Sequence, residues 1–159
     1  MSDLKELAEN FAKHTECTLH MHDSGYGCTI GLGPVDLRIM HQPGSELVVF
    51  HLPVGILPDN PDAKLNCLIH LMSANDMYSD TKGMTLGYNE EANLITLQNV
   101  SELNSLDQER FSIQVFRILN EGITWIEKLG QENISDFLSN NEEHSESENN
   151  LKNSQWLSL

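Results

Sequence analysis

A chain of 159 residues with 39% hydrophobic content has the length and apolar fraction of one domain built on one core. Its acidic residues outnumber the basic ones 24 to 9, and the resulting net charge of −15 repels nucleic-acid phosphates and anionic lipid headgroups alike. Three widely spaced cysteines without a CxxC pair, no apolar run near the roughly 18 residues of a membrane span, and no basic region leading into an apolar one predict a reduced, cytoplasmic protein that does not insert into membranes.

Leu4, Leu7, Ala8, Phe11 and Ala12 recur at the spacing of one helical face, and Asp3 with Glu6 matches a capping box, which predicts an opening helix. Three segments of strand character follow: Cys28 to Leu32, Val35 to Met40 and Glu46 to Leu52. Gly33-Pro34 and Pro43-Gly44 separate them as turns, so a three-stranded antiparallel meander is the simplest arrangement. The third strand is apolar on both faces from Leu47 to Leu52, whereas a half-buried sheet needs only one apolar face. Its second face requires a cover.

A second helix starts at Asn60-Pro61-Asp62, an N-cap residue followed by proline at the first helical position and an acid near the positive helix end. It runs to about Ala74, with Leu65, Leu68, Ile69 and Met72 as its main stripe, and with Cys67 and Leu71 widening the apolar surface. Met84 to Asn89 and Leu94 to Val100 read as a hairpin. The last helix begins near Ser105 or Asp107, carries Phe111, Val115, Ile118, Leu119, Gly122, Ile126 and Leu129 on one face, and is expected to stop at Gly130. The order α-β-β-β-α-β-β-α predicts an α+β fold over residues 1–130, with helices packed on an antiparallel sheet. Residues 131–159 hold six acids against Lys152, with no apolar residue from Ser139 to Asn150, and read as an acidic, disordered tail. Trp156, Leu157 and Leu159 at its end have the makings of a short docking motif.

No phosphate-binding loop, nucleophile elbow or His-Glu-x-x-His pair occurs, and no cofactor or catalytic residue is assigned. His20 and His22, at i and i+2 beside Asp23, are the best metal candidates, yet two imidazoles do not make a site, and no metal is assigned. Cys28 and Cys67 lie in apolar settings that suit small buried side chains. Glu90-Glu91 falls in a hairpin turn and reads as a solvated corner.

Taken in order, several short motifs resemble the class I type III secretion chaperones, the Tir chaperone family. They are the Leu4 to Phe11 helix pattern, Gly27-Cys28-Thr29-Ile30, Leu52-Pro53-Val54-Gly55, and the central Leu68-Ile69-His70-Leu71-Met72-Ser73-Ala74-Asn75. Gly83, Leu86-Gly87, Leu94-Ile95-Thr96-Leu97-Gln98, Leu106-Asp107 and Trp125 complete the series. The resemblance spans residues 1–130. It implies a non-enzymatic homodimer that holds the N-terminal segment of a secreted effector unfolded and delivers it to the export apparatus, with the export ATPase as a further partner. By the same resemblance Leu65, Leu68, Ile69, Met72 and Leu86 are assigned to the dimer contact. Leu4, Leu7, Phe11, Ile30, Val49 and Phe50 are assigned to the effector, together with backbone pairing at a strand edge. Two other readings compete: a regulatory adaptor of this fold that captures a folded partner, and a metal-dependent hydrolase using His20, His22 and Asp23.

Overall fold

The computed structural model describes residues 3–131. Helix α1, Leu4–His14, begins where the Asp3 carboxylate accepts a hydrogen bond from the Lys5 amide at 3.0 Å, so the cap forms as its residue type dictates. Four strands follow as a meander: β1, Thr18–Met21; β2, Gly27–Leu32; β3, Val35–His41; and β4, Leu47–Ile56. Helix α2, Pro61–Asn75, starts on Asn60, whose side chain accepts from the amides of Asp62 and Ala63. The hairpin of β5, Thr85–Asn89, and β6, Leu94–Glu102, precedes helix α3, Gln108–Gln131. The six strands form one antiparallel sheet in the order β1-β2-β3-β4-β6-β5. The expected α+β architecture is therefore present, with one strand more than the hydrophobic period reveals.

That extra strand is β1. It pairs on one side only and alternates exposed with half-buried residues, so Leu19 and Met21 alone give it an apolar signal over four residues. β4 also runs past Pro53, where a strand normally ends. Pairing with β3 stops at His51, so the missing amide hydrogen of Pro53 breaks no bond on that side, while β6 continues alongside through Ile56. Gly130 does not end α3, which continues through Gln131.

One face of the sheet carries the core. Phe50 and Leu52 of β4 meet Phe111, Val115 and Ile118 of α3, all fully buried, and α1 adds Leu7, Ala8 and Phe11. The rings of Phe11 and Phe50 stand 6.1 and 5.9 Å from Phe111, tying both helices and the central strand into one aromatic contact. Gly122 lets α3 lie close to β4, since a Cβ at this position would overlap Leu52 Cδ2. Burying that much side chain is what holds the layers together, at roughly 1.5–3 kcal/mol for each large apolar group.

Helix α2 closes the β5 edge of the sheet. Its buried residues are Ala63, Cys67, Leu71 and Ala74, mostly small, which allows close approach. At its end Asn75 acts as a short substitute strand: its Nδ2 donates to the Leu86 carbonyl at 2.9 Å and its Oδ1 accepts from the Leu86 amide at 2.8 Å. Both free backbone groups of Leu86 on the outer edge are thereby satisfied, and the edge cannot pair at that point.

Candidate protein-binding surfaces

Among the described residues, no helix packs on the opposite face of the sheet. Register places Met40 of β3, Val49 of β4 and Val100 of β6 side by side, forming an apolar row across three strands, with Leu47 two residues along on the same face. Met40, Leu47 and Val100 are 41%, 39% and 51% exposed. A neighbouring row is polar: His20 pairs with Thr29, Thr29 with Arg38, Arg38 with His51 and His51 with Gln98. The surface thus offers apolar area beside hydrogen-bonding groups, the combination that an extended peptide uses. At its end β1 leaves one edge unpaired, whereas β5 is clamped by Asn75.

Desolvation together with the Arg38 charge holds the His51 imidazole below its ordinary pKa of 6.5, so it stays neutral at pH 7. Its Nδ1 is buried without a hydrogen-bond partner among the described residues. Burial pushes the Cys28 thiol up to about 12, which leaves it protonated and unreactive. His20 and His22 do lie together, ring centroids 6.2 Å apart, but the Nε2 of His22 is engaged by Thr29 Oγ1 at 2.9 Å. Among the described residues no three His, Cys, Asp or Glu side chains converge as a metal site.

A second apolar surface lies on α2. Leu65, Ile69 and Met72 are 55%, 52% and 74% exposed and face away from the sheet, so the stripe read as the main one in the sequence points outward. Leu68 is half-buried against the core, and Leu86 lies within it. After α2 the chain turns through Met77 and Tyr78, both at positive φ and both exposed, extending the apolar surface beyond the helix end.

The residues assigned to a partner from sequence are placed unevenly. Leu4, Leu7, Phe11, Ile30 and Phe50 are buried in the core of the single chain and present no surface; Val49 alone of the six faces the open side. Residues adjacent in a strand point to opposite faces, so Phe50 took the core face while Val49 took the other, and Leu4, Leu7 and Phe11 lie on the face of α1 that packs into the core. Met40, Leu47 and Val100, which share the open face with Val49, were not singled out from the sequence. Each signals itself only as the apolar member on the wrong side of an alternating strand.

Residues 6–125 match the Tir chaperone protein (CesT) family. Among solved structures, the fold is similar to the HopA1-SchA chaperone-effector complex at 18% identity and a TM-score of 0.60, covering 77% of this chain and 92% of that one. The ExsC-ExsE complex is similar at 15% identity and a TM-score of 0.59, over 82% of this chain and 96% of that one. The type III secretion chaperone SycH of Yersinia pestis, solved with a stable fragment of YscM2, gives 13% identity and a TM-score of 0.54, over 76% and 97% of the two chains. At these identities the likeness is one of fold. No curated protein matches the chain in sequence.

Proposed function

The chain belongs to the Tir chaperone protein (CesT) family, and from that membership we propose that it is a type III secretion chaperone. It binds the N-terminal segment of a secreted effector, keeps that segment unfolded and soluble, and delivers it to the export apparatus, whose ATPase receives the complex. Its work is binding, not catalysis, and its place is the bacterial cytoplasm. No helix among the described residues is long and apolar enough to cross a membrane.

The observation that carries this reading is the apolar row Met40, Val49 and Val100, uncovered among the described residues, on a sheet whose unpaired β1 edge lies two strands from β3, in a chain of the family's fold. An unfolded segment suits such a site: its apolar side chains cover the row, and its backbone adds to the open edge of β1. The sheet face replaces the buried helix-one residues as the contact, with Val49 at its centre. The exposed stripe of α2 supports a homodimer formed through a two-fold contact, in which Leu65, Ile69 and Met72 meet their symmetry mates.

Coexpression with larger secreted proteins of the same bacterium, followed by purification and mass spectrometry, tests the reading. The expected result is copurification of one such protein through its N-terminal segment, lost in Met40→Asp with Val100→Asp while circular dichroism stays unchanged. Capture of a folded domain with the N-terminal segment deleted would instead support the adaptor reading.

A further inference from the structure

Of the described lysines and arginines, Arg38 is the one without a partner. Lys5 lies 3.9 Å from Glu9, Lys13 donates to Asn10 Oδ1 at 3.4 Å, and Arg110 lies 3.8 Å from Asp107. Lys82 is held by Glu121 at 2.7 Å, and Arg117 donates to the Lys82 carbonyl at 3.1 Å. Lys64 and Lys128 stand over the rings of Tyr88 and Trp125. Arg38 makes no hydrogen bond, ion pair or ring contact among the described residues.

Its place in the sheet sharpens the point. Parity puts Arg38 on the open face of β3, between buried Leu37 and Ile39 and two residues from Met40. Register sets it between Thr29 of β2 and His51 of β4. Thr29 Oγ1 is engaged with His22 Nε2 at 2.9 Å, and Gln98, next in the row, donates to Thr96 Oγ1 at 3.1 Å. Asp36, two residues along on the same face, leans over Gly31 instead, its Oδ1 3.1 Å from where a Gly31 Cβ would stand. After desolvation, the Arg38 charge is the cause that holds His51 below its ordinary pKa, as a guanidinium without a counter-ion does. Such a group costs little while water reaches it. A segment that covers Met40 and Val49 also dries the adjoining row, about 6.8 Å along the strand, and strands the Arg38 charge unless it brings a carboxylate.

Building on the sheet face as the effector contact, we propose that Arg38 is its specificity determinant: the bound segment seats an aspartate or glutamate on the Arg38 guanidinium, two residues from the apolar side chain that it lays on Met40 and Val49. The spacing follows from strand geometry. Alternate residues of a segment extended along β3 stand about 6.8 Å apart, as Arg38 and Met40 do on β3 itself. The planar guanidinium meets a carboxylate with two parallel hydrogen bonds, which fixes orientation as well as position. In a chain of net charge −15 an acidic side chain is repelled over most of the surface, so this one seat sets the register of the segment. A segment with an apolar residue but no acid at that spacing is rejected by the charge it would strand.

Titration calorimetry tests the proposal, with the full chain and a synthetic peptide of the N-terminal segment of the secreted protein that copurifies with it. Arg38→Gln should weaken binding about tenfold, the worth of one hydrogen-bonded charge, whereas Lys13→Gln on α1 should change it less than about twofold. Replacing the peptide's acids one at a time by their amides needs no change in the chain. One acid, two residues from an apolar residue, should reproduce the tenfold loss and add nothing to it in the Arg38→Gln chain. Arg38→Glu should then prefer the peptide in which lysine replaces that acid. Binding unchanged in Arg38→Gln overturns the proposal, as do equal losses in Arg38→Gln and Lys13→Gln, or the lack of any single coupled acid. If Met40→Asp with Val100→Asp still abolishes that binding, the chaperone reading stands while the proposal falls; if no secreted protein copurifies, both fall together.

Discussion

Ile69→Asp separates the proposed dimer contact from the fold. Leu65, Ile69 and Met72 leave the equivalent of nearly two whole apolar side chains in water on each protomer, from exposures of 55%, 52% and 74%. A two-fold contact buries them twice, a gross gain of about 5–10 kcal/mol at roughly 1.5–3 kcal/mol per side chain. That gain must exceed the loss of rotational and translational freedom, so the contact has little to spare. Aspartate at position 69 removes two isoleucines per dimer and brings two carboxylates into an apolar contact, each costing several kcal/mol or forced to protonate. A net loss of about 4 kcal/mol raises the dissociation constant about a thousandfold. Sedimentation velocity at micromolar concentration should show a dimer for the parent chain and a monomer for the variant, with the circular dichroism of the single chain retained. A dimer that survives the substitution refutes the reasoning, because it places the interface elsewhere. Leu68 is a poorer probe: it packs on the protomer's own core, so charge there perturbs the fold as well.

Other outcomes follow from the same geometry. Asn75→Ala removes two hydrogen bonds from a part-buried strand edge and should destabilise by about 1–3 kcal/mol, with faster amide exchange at Leu86. His51 is held below its ordinary pKa of 6.5, so the unfolded chain takes up the proton first; its stabilising neutrality is complete above that value and lost as the pH falls through the lower folded-state pKa. Thermal melts should therefore fall more steeply from about pH 7 to pH 5 in the parent than in His51→Gln. The Cys28 thiol, fully buried and pushed up to about 12, should resist alkylation at neutral pH until the chain unfolds, whereas half-buried Cys17 reacts first. Effector affinity resting on the apolar row should change little between low and moderate salt; a steep loss would point to the charge-steered adaptor.

Much of this protein is written in its sequence. The caps at Asp3 and Asn60 act within three residues, through side chains whose reach is set by covalent geometry, and both form as expected. The periods of α1, α3 and β3 are strong enough to read because one face of each is buried and the other is wet. The short series of motifs from Leu4 to Trp125 led to the family that residues 6–125 match. The acidic tail lies almost wholly outside the described residues, and its character as a separate segment remains the proposal that composition makes.

Tertiary structure alone decided which apolar face each element turns inward. Helix α2 carries apolar residues on two sides, so its period could not say whether Leu65, Ile69 and Met72 or Ala63, Cys67 and Leu71 would meet the sheet. Close approach to β5 selected the smaller side chains, and Asn75 fixed the helix against the edge of that strand. β4 posed the same ambiguity, since Val49 and Phe50 are equally suited to burial. Parity with Asn99 and Val100 across β6 sent Phe50 into the helical layer and left Val49 on the open sheet. Hydrophobicity is non-directional and says only that a residue gains by being covered; which cover it finds depends on contacts far apart in the chain.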